Sequence, residues 1–269
     1  MLLLTPDGGL YVPLNGLPKL TSSEWQRLVD MSFPERAQVL LERYIHPADV
    51  PSAHLLEIVE RAYGENFACS RIAPVRYLMH NQYVLELFHG PTASFKYLSL
   101  QLMPQLFAYC IPQTCTYLLL VATSGDTGSA VLEGFNNLSD IDKQRITVLA
   151  FFPEKDILKS SNLERYLYLI SNGDWQLVRV LYSQLERHNL FRVPGSLRER
   201  IQQDFPAGWC SEEKCLATIQ SVHSAAGYIL DPHTAVAKVV ADRLQDGTCP
   251  VVIASTAHYA KFAPAVLKL

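Results

Sequence analysis

Short apolar runs alternating with helical stretches restrict this chain more than any other feature of its sequence. Tyr83 to Leu87, Thr116 to Val121 and Ile146 to Phe152 have strand character, and each gives way to residues that favour helix. That alternation specifies an α/β sheet in which ligand groups gather at the carboxyl ends of the strands. Val251 to Ala254 is a further strand, ending just before Thr256. The first 75 residues read as mainly helical, with Ser/Thr-x-x-Glu capping boxes at Thr21 to Glu24 and Ser32 to Glu35 and a third, later one at Ser196 to Glu199. Leu177, Leu181 and Leu185, with Val178 and Tyr182 beside them, recur at helical spacing, as do Leu197, Ile201 and Phe205. These are core positions, and Ser211 caps a helix running through Ile219.

Two strand-to-helix junctions carry chemistry. In the first, Phe88-His89-Gly90-Pro91-Thr92-Ala93-Ser94-Phe95-Lys96, a Gly-Pro turn delivers a lysine to the start of an apolar stretch from Tyr97 to Tyr109. An amine between apolar walls loses solvation for its charged form, which moves it toward nucleophilic use. In the second, Val121-Ala122-Thr123-Ser124-Gly125-Asp126-Thr127-Gly128-Ser129-Ala130, glycines let backbone N–H groups approach a ligand. The helix N-terminus behind them favours a carboxylate or a phosphate.

Composition excludes several classes. A formal net charge of -3 with Lys and Arg scattered gives no basic patch, so nucleic acid is not an expected partner. Met1-Leu2-Leu3-Leu4 is too short for a signal-peptide core, no run approaches a membrane span, and six cysteines are too sparse for a disulfide framework. The expected location is a reducing compartment, the cytoplasm, with mitochondria the alternative. Cys110/Cys115 and Cys210/Cys215 share a gap that does not suit zinc and read as buried or half-buried thiols; no metal site is expected.

Both junctions, together with Pro6-Asp7-Gly8-Gly9-Leu10-Tyr11-Val12-Pro13, Gly227 to Val236 and Thr256-Ala257-His258-Tyr259-Ala260-Lys261-Phe262, resemble the threonine synthase family, and its threonine synthase-like branch in animals most. The resemblance implies the pyridoxal-phosphate type II (tryptophan synthase β-like) fold. It implies that Lys96 forms the Schiff base with pyridoxal 5'-phosphate, that Asp126 and Thr256 contact the cofactor ring, and that Ser124, Gly125 and Thr127 hold a substrate carboxylate. His89 and Thr92 line the same turn; His89 is either a site group or a histidine held by turn backbone. The substrate implied is a small phosphorylated hydroxyamino acid such as O-phosphohomoserine, with threonine synthesis and phospho-lyase chemistry as the two outcomes.

Three departures accompany the resemblance. Val148-Leu149-Ala150-Phe151-Phe152-Pro153-Glu154-Lys155 runs directly into Asp156-Ile157-Leu158-Lys159, a segment the family places well downstream, and the Gly-Asn-Phe-Gly type loop that cradles the cofactor phosphate is missing. A central deletion joined near Lys155 and Asp156 is expected, removing the middle of the large domain and weakening cofactor retention. Tyr97 stands where the family usually has an aspartate and reads as surface or partner variation, and the family's final section is expected to be shortened. The expected organisation is a helical segment 1–75, an α/β half 76–155 with the lysine and the carboxylate turn, and a C-terminal remnant 156–269. A non-enzymatic factor that binds a partner or forms a homodimer through uncovered apolar faces is the rival expectation.

Overall fold

The computed structural model describes residues 9–14, 16–122, 126–151 and 161–266. In chain order the elements are α1 (Ser22–Leu28), α2 (Phe33–Leu41), α3 (Ser52–Ala62), β1 (Val75–Met79), β2 (Gln82–Glu86), α4 (Lys96–Cys110), β3 (Tyr117–Ala122), α5 (Asp126–Asn136), α6 (Asp140–Arg145) and β4 (Ile146–Phe151). They continue with α7 (Ser161–Ile170), α8 (Trp175–His188), α9 (Gly195–Asp204), α10 (Glu212–Ala226), α11 (Pro232–Leu244), β5 (Val251–Ser255), a 3₁₀ turn Tyr259–Phe262 and α12 (Ala263–Val266). The expected join at Lys155 and Asp156 lies outside the described residues. The chain forms two compact units, residues 1–19 with 155–208, and residues 20–154 with 209–269.

In the larger unit β1, β2 and β5 form one sheet, with β1 antiparallel to β2 and β2 parallel to β5, while β3 and β4 pair in parallel as a second. The β1–β2 hairpin turns through His80 and Asn81, both at positive φ (46° and 61°), the backbone demanded by a two-residue loop whose twist matches its strands. Along β2 the burial alternates, Gln82, Val84 and Glu86 inward, as a half-covered strand must. Val84 and Leu78 meet Ile219 and Val222 of α10 and Ala235 of α11 in one core. A second core joins Leu55, Ile58 and Val59 of α3 to Phe33 and Leu41 of α2 and Leu98 and Leu102 of α4. A third packs α4 and α5 on one face of β3–β4 through Ala108, Val131 and Phe135. There α4 and α5 approach so closely that a Cβ at Gly134 would lie 2.0 Å from the Leu100 carbonyl oxygen.

The opposite face of β3–β4 is largely exposed: among the described residues Leu118 is 59 %, Leu120 65 % and Leu149 45 % exposed. Parallel strands are ordinarily covered on both faces, so this surface is unusual for its topology.

The smaller unit is organised by α7, α8 and α9 around Leu167, Val178, Leu181 and Tyr182, with Leu177, Leu185 and Ile201 against them. Leu197 is buried, but Phe205 is 60 % exposed, its ring against the edge of Tyr166, so the third member of that periodic set is not core.

Helix starts follow the sequence at Thr21 and Ser32, where both capping boxes close, and at Ser211, which accepts from the Lys214 N–H on a helix that runs on to Ala226. The box expected at Ser196 does not form. Helix α9 begins at Gly195 after Pro194, which places Ser196 inside the first turn, where its hydroxyl is not the cap. Cys215 is buried and Cys210 half-buried, whereas Cys110 and Cys115 are exposed, because they flank the loop between α4 and β3. No group of three metal-ligating side chains occurs among the described residues, and none of the described helices is long and apolar enough to cross a membrane.

Candidate active site

Parallel pairing of β2 with β5 puts Glu86 opposite Ser255, so the loop leading to Lys96 and the residues after β5 leave the same sheet edge. Backbone hydrogen bonds then tie them together. The Phe95 N–H donates to the Thr256 carbonyl (2.9 Å), the His258 N–H donates to the Ala93 carbonyl (3.2 Å), and Ser94 bridges to Ala257. Ala93 adopts φ 50°, a left-handed conformation that a residue with a Cβ avoids; these bonds hold the turn against its preference. Lys96 opens α4 as a half-buried residue.

Asp126 opens α5, where a carboxylate meets the positive end of the helix dipole. Its Oδ1 accepts a hydrogen bond from Lys261 Nζ at 2.6 Å, and the same ammonium donates to the Thr92 carbonyl at 3.2 Å. Through Lys261 the lysine turn, the start of α5 and the chain after Thr256 come together. Thr127 follows in the first turn of α5, half-buried, and Thr256 is half-buried at its strand end. Ser124 and Gly125 lie outside the described residues.

His89 has a side-chain partner. Its Nε2 pairs with Glu86 Oε2 at 2.8 Å, while Glu86, largely buried, also accepts from the Tyr228 hydroxyl at 3.0 Å. Burial first, then the Glu86 charge, pushes the Tyr228 phenol well above its ordinary range. Phe88 stacks edgewise on His258, and a cleft of about 570 Å³ opens beside them, lined also by Asn66, Phe67 and Gly90.

Tyr97 is no surface variation: it is wholly buried. Its hydroxyl accepts from Asn137 Nδ2 (3.2 Å) and Asn66 Nδ2 (3.4 Å), and both amides also donate to Gln101 Oε1. Burial pushes its phenol up to about 12, partly opposed by the Asn66 hydrogen bond. Below Thr256, Asp231 caps α11, accepting from the His233 and Thr234 N–H groups and from the hydroxyls of Thr234 and Ser255.

Lys96, Asp126 and Thr256, an amine, an acceptor-only carboxylate and a neutral hydroxyl, form a donor set suited to the aldehyde, ring hydroxyl and ring nitrogen of a pyridoxal group. Among the described residues the buried Thr92 Oγ1 has no hydrogen-bond partner, which leaves it able to accept from or donate to a bound group. The residues fit the ring end of the group.

Comparison with known proteins bears on the fold and the family. The overall fold matches that of a pyridoxal-phosphate-bound threonine synthase from Brucella melitensis, with a TM-score of 0.85, 23% identity, and 99% of this chain and 86% of that chain covered. The yeast threonine synthase matches with a TM-score of 0.82 at 22% identity, covering 98% and 85%. The fold is therefore the pyridoxal-phosphate type II fold. The family description "Threonine synthase N terminus" matches residues 2–63. The chain is 41% identical to the human protein Threonine synthase-like 1 along 419 aligned positions, which cover 98% of this chain and 56% of that protein. The chain belongs to the threonine synthase family, in its threonine synthase-like branch. It spans little more than half the length of that relative, and 419 positions aligned with a chain of 269 residues leave well over a hundred without a counterpart here.

Sequence reasoning passed over Glu86, Tyr228 and Lys261. Lys261 stood inside a recognised motif, but only the fold brings it to Asp126. Asp231 had a readable signal, an aspartate directly before a proline at a helix start.

Proposed function

We propose that this chain holds pyridoxal 5'-phosphate at Lys96 and acts on small phosphorylated hydroxyamino acids of the O-phosphohomoserine type with loss of phosphate, as threonine synthase or as phospho-lyase. The meeting of the Lys96 turn with the Thr256 strand end and, through Lys261, with Asp126 at the start of α5 supports this reading. When bound, the cofactor supplies an electron sink for charge developing on substrate carbon. The Lys96 amine holds the aldehyde end and afterwards carries protons at Nζ. Asp126 accepts from the ring hydroxyl, and Thr256 faces the ring nitrogen with a neutral hydroxyl. Thr127, with Ser124 and Gly125, receives the substrate carboxylate at the start of α5; His89 and Thr92 border the substrate.

Retention is the weak point. A phosphate cradle supplies several charge-assisted hydrogen bonds of about 1.5–3 kcal/mol each, so forgoing three costs roughly 5 kcal/mol or more, at least about a thousandfold in affinity. The test is absorbance of the protein with excess cofactor, followed by borohydride trapping and mapping of the modified residue. A trapped adduct on Lys96, lost in Lys96→Ala, supports the reading; no adduct, or one elsewhere, overturns it. Phosphate release from O-phosphohomoserine then tests the elimination, and the organic product, threonine or a 2-oxo acid, distinguishes the two outcomes.

The exposed face formed by Leu118, Leu120 and Leu149 favours a second reading, a catalytically impaired chain that binds a partner or a second copy of itself. A protein that stays colourless with excess cofactor, melts cooperatively and self-associates would match it.

A further inference from the structure

Lys261 occupies a position that neither a surface lysine nor a simple ion pair explains. One ammonium bridges two acceptors, Thr92 O and Asp126 Oδ1, that lie 169 and 135 residues away from it in the chain. Its side chain is 27% exposed and that of its partner Asp126 42%. The lysine turn is already stitched to the chain after β5 by the backbone bonds of Phe95 and His258. The far half of α5 is already docked, at Gly134 against α4. The beginning of α5 has no such backbone tie to the lysine turn among the described residues; the bond from Lys261 to Asp126 supplies it.

We propose that Lys261 is a positioning residue: it clamps the start of α5 to the Lys96 turn, fixing the Asp126 carboxylate by one oxygen so that the other is presented to a ligand. Its point charge with three rotatable donors suits a junction of one carbonyl and one carboxylate from separate segments. The ligand part of this inference rests on the proposed cofactor; the clamp itself does not.

The test uses the full chain and two variants, Lys261→Met, which keeps the apolar stem, and Lys261→Arg, which keeps the charge. Hydrogen exchange is measured first on the ligand-free protein. In Lys261→Met the amides of the first turns of α5 and the Phe95 amide should exchange about three- to fivefold faster, as loss of a partly exposed ion pair allows, with α10 and α11 unchanged. Lys261→Arg should restore most of the difference. Unchanged exchange in α5, or equal acceleration throughout the unit, would overturn the clamp. Titration with pyridoxal 5'-phosphate, read by absorbance, should then show binding at least about tenfold weaker in Lys261→Met and largely recovered in Lys261→Arg; equal binding in all three would overturn the link to the ligand. If the unaltered chain takes up no cofactor, the proposed function fails, and the exchange result alone still decides the role of Lys261.

Discussion

The ring of Tyr97 fills the space that a side chain on Gly90 would need: a Cβ at Gly90 would lie 2.2 Å from Tyr97 Cδ1 and 2.6 Å from Cγ. The glycine that begins the lysine turn and the residue that follows the lysine are thus packed as a pair. Tyr97 in turn is anchored by Asn66, Asn137 and the edge of Phe67, so the turn carrying Lys96 rests on a buried polar cluster. Where the resemblance in sequence implies an aspartate, Tyr97 uses burial and hydrogen bonding instead of helix-dipole charge.

Gly90→Ala should therefore destabilise the larger unit by about 1–3 kcal/mol, the range for overpacking a filled site. Urea denaturation measures it as a lower midpoint at unchanged slope. A loss below about 0.5 kcal/mol would show that the Tyr97 ring yields freely.

Alkaline pH should weaken the fold through the same residue. Burial raises the phenols of Tyr97 and Tyr63 from 10.0 to about 12 in the folded chain. Between pH 10 and 12 the unfolded chain has lost these protons while the folded one keeps them, so the stability they contribute is complete below pH 10 and disappears as pH rises through 12. Thermal melts across this window should fall steeply, and Tyr97→Phe should flatten the fall. That variant should itself cost about 1–2 kcal/mol at neutral pH, because the two asparagine amides lose an acceptor. A melting temperature independent of pH from 10 to 12 would contradict the burial of these rings.

Much of the fold was legible in local pattern. Strands β2 to β5 appear as apolar runs, and Thr21, Ser32 and Ser211 announce their helices through side-chain acceptors. Strand β1 was not legible, because Val75-Arg76-Tyr77 is exposed and has no strong alternation; its pairing depends on the His80-Asn81 turn. Of the site, the lysine turn and Asp126 could be read because small residues at a strand-to-helix junction serve backbone approach to a ligand. The buried role of Tyr97, the Glu86 partner of His89 and the reach of Lys261 could not. Each depends on contacts between distant segments, and no spacing encodes them.

Leu118→Lys combined with Leu120→Lys should leave stability within about 0.5 kcal/mol, since both side chains are already largely in water. Light scattering should detect self-association of the unaltered chain that declines in the double variant. A monodisperse unaltered chain at high concentration would argue against this face as an interface.

Asp231→Ala should be the most damaging of the single substitutions considered. The carboxylate is 1% exposed and accepts from two backbone amides and two hydroxyls, capping α11 and fixing Ser255 next to Thr256. Loss of a helix cap costs about 1 kcal/mol, and each buried donor left without its acceptor adds about 1–3 kcal/mol unless water enters, so a loss of roughly 3 kcal/mol or more is expected. Asp231→Asn keeps one acceptor oxygen for the two amides but turns an N–H toward the two hydroxyls, so it should recover the cap while leaving Ser255 displaced. Urea denaturation of both variants separates the two functions, and hydrogen exchange at the β5 amides shows whether Ser255 has moved. If Asp231→Ala loses less than about 1 kcal/mol, the network beneath Thr256 does not hold the strand end, and the placement of that hydroxyl must depend on the backbone bonds of Leu87, Phe95 and His258.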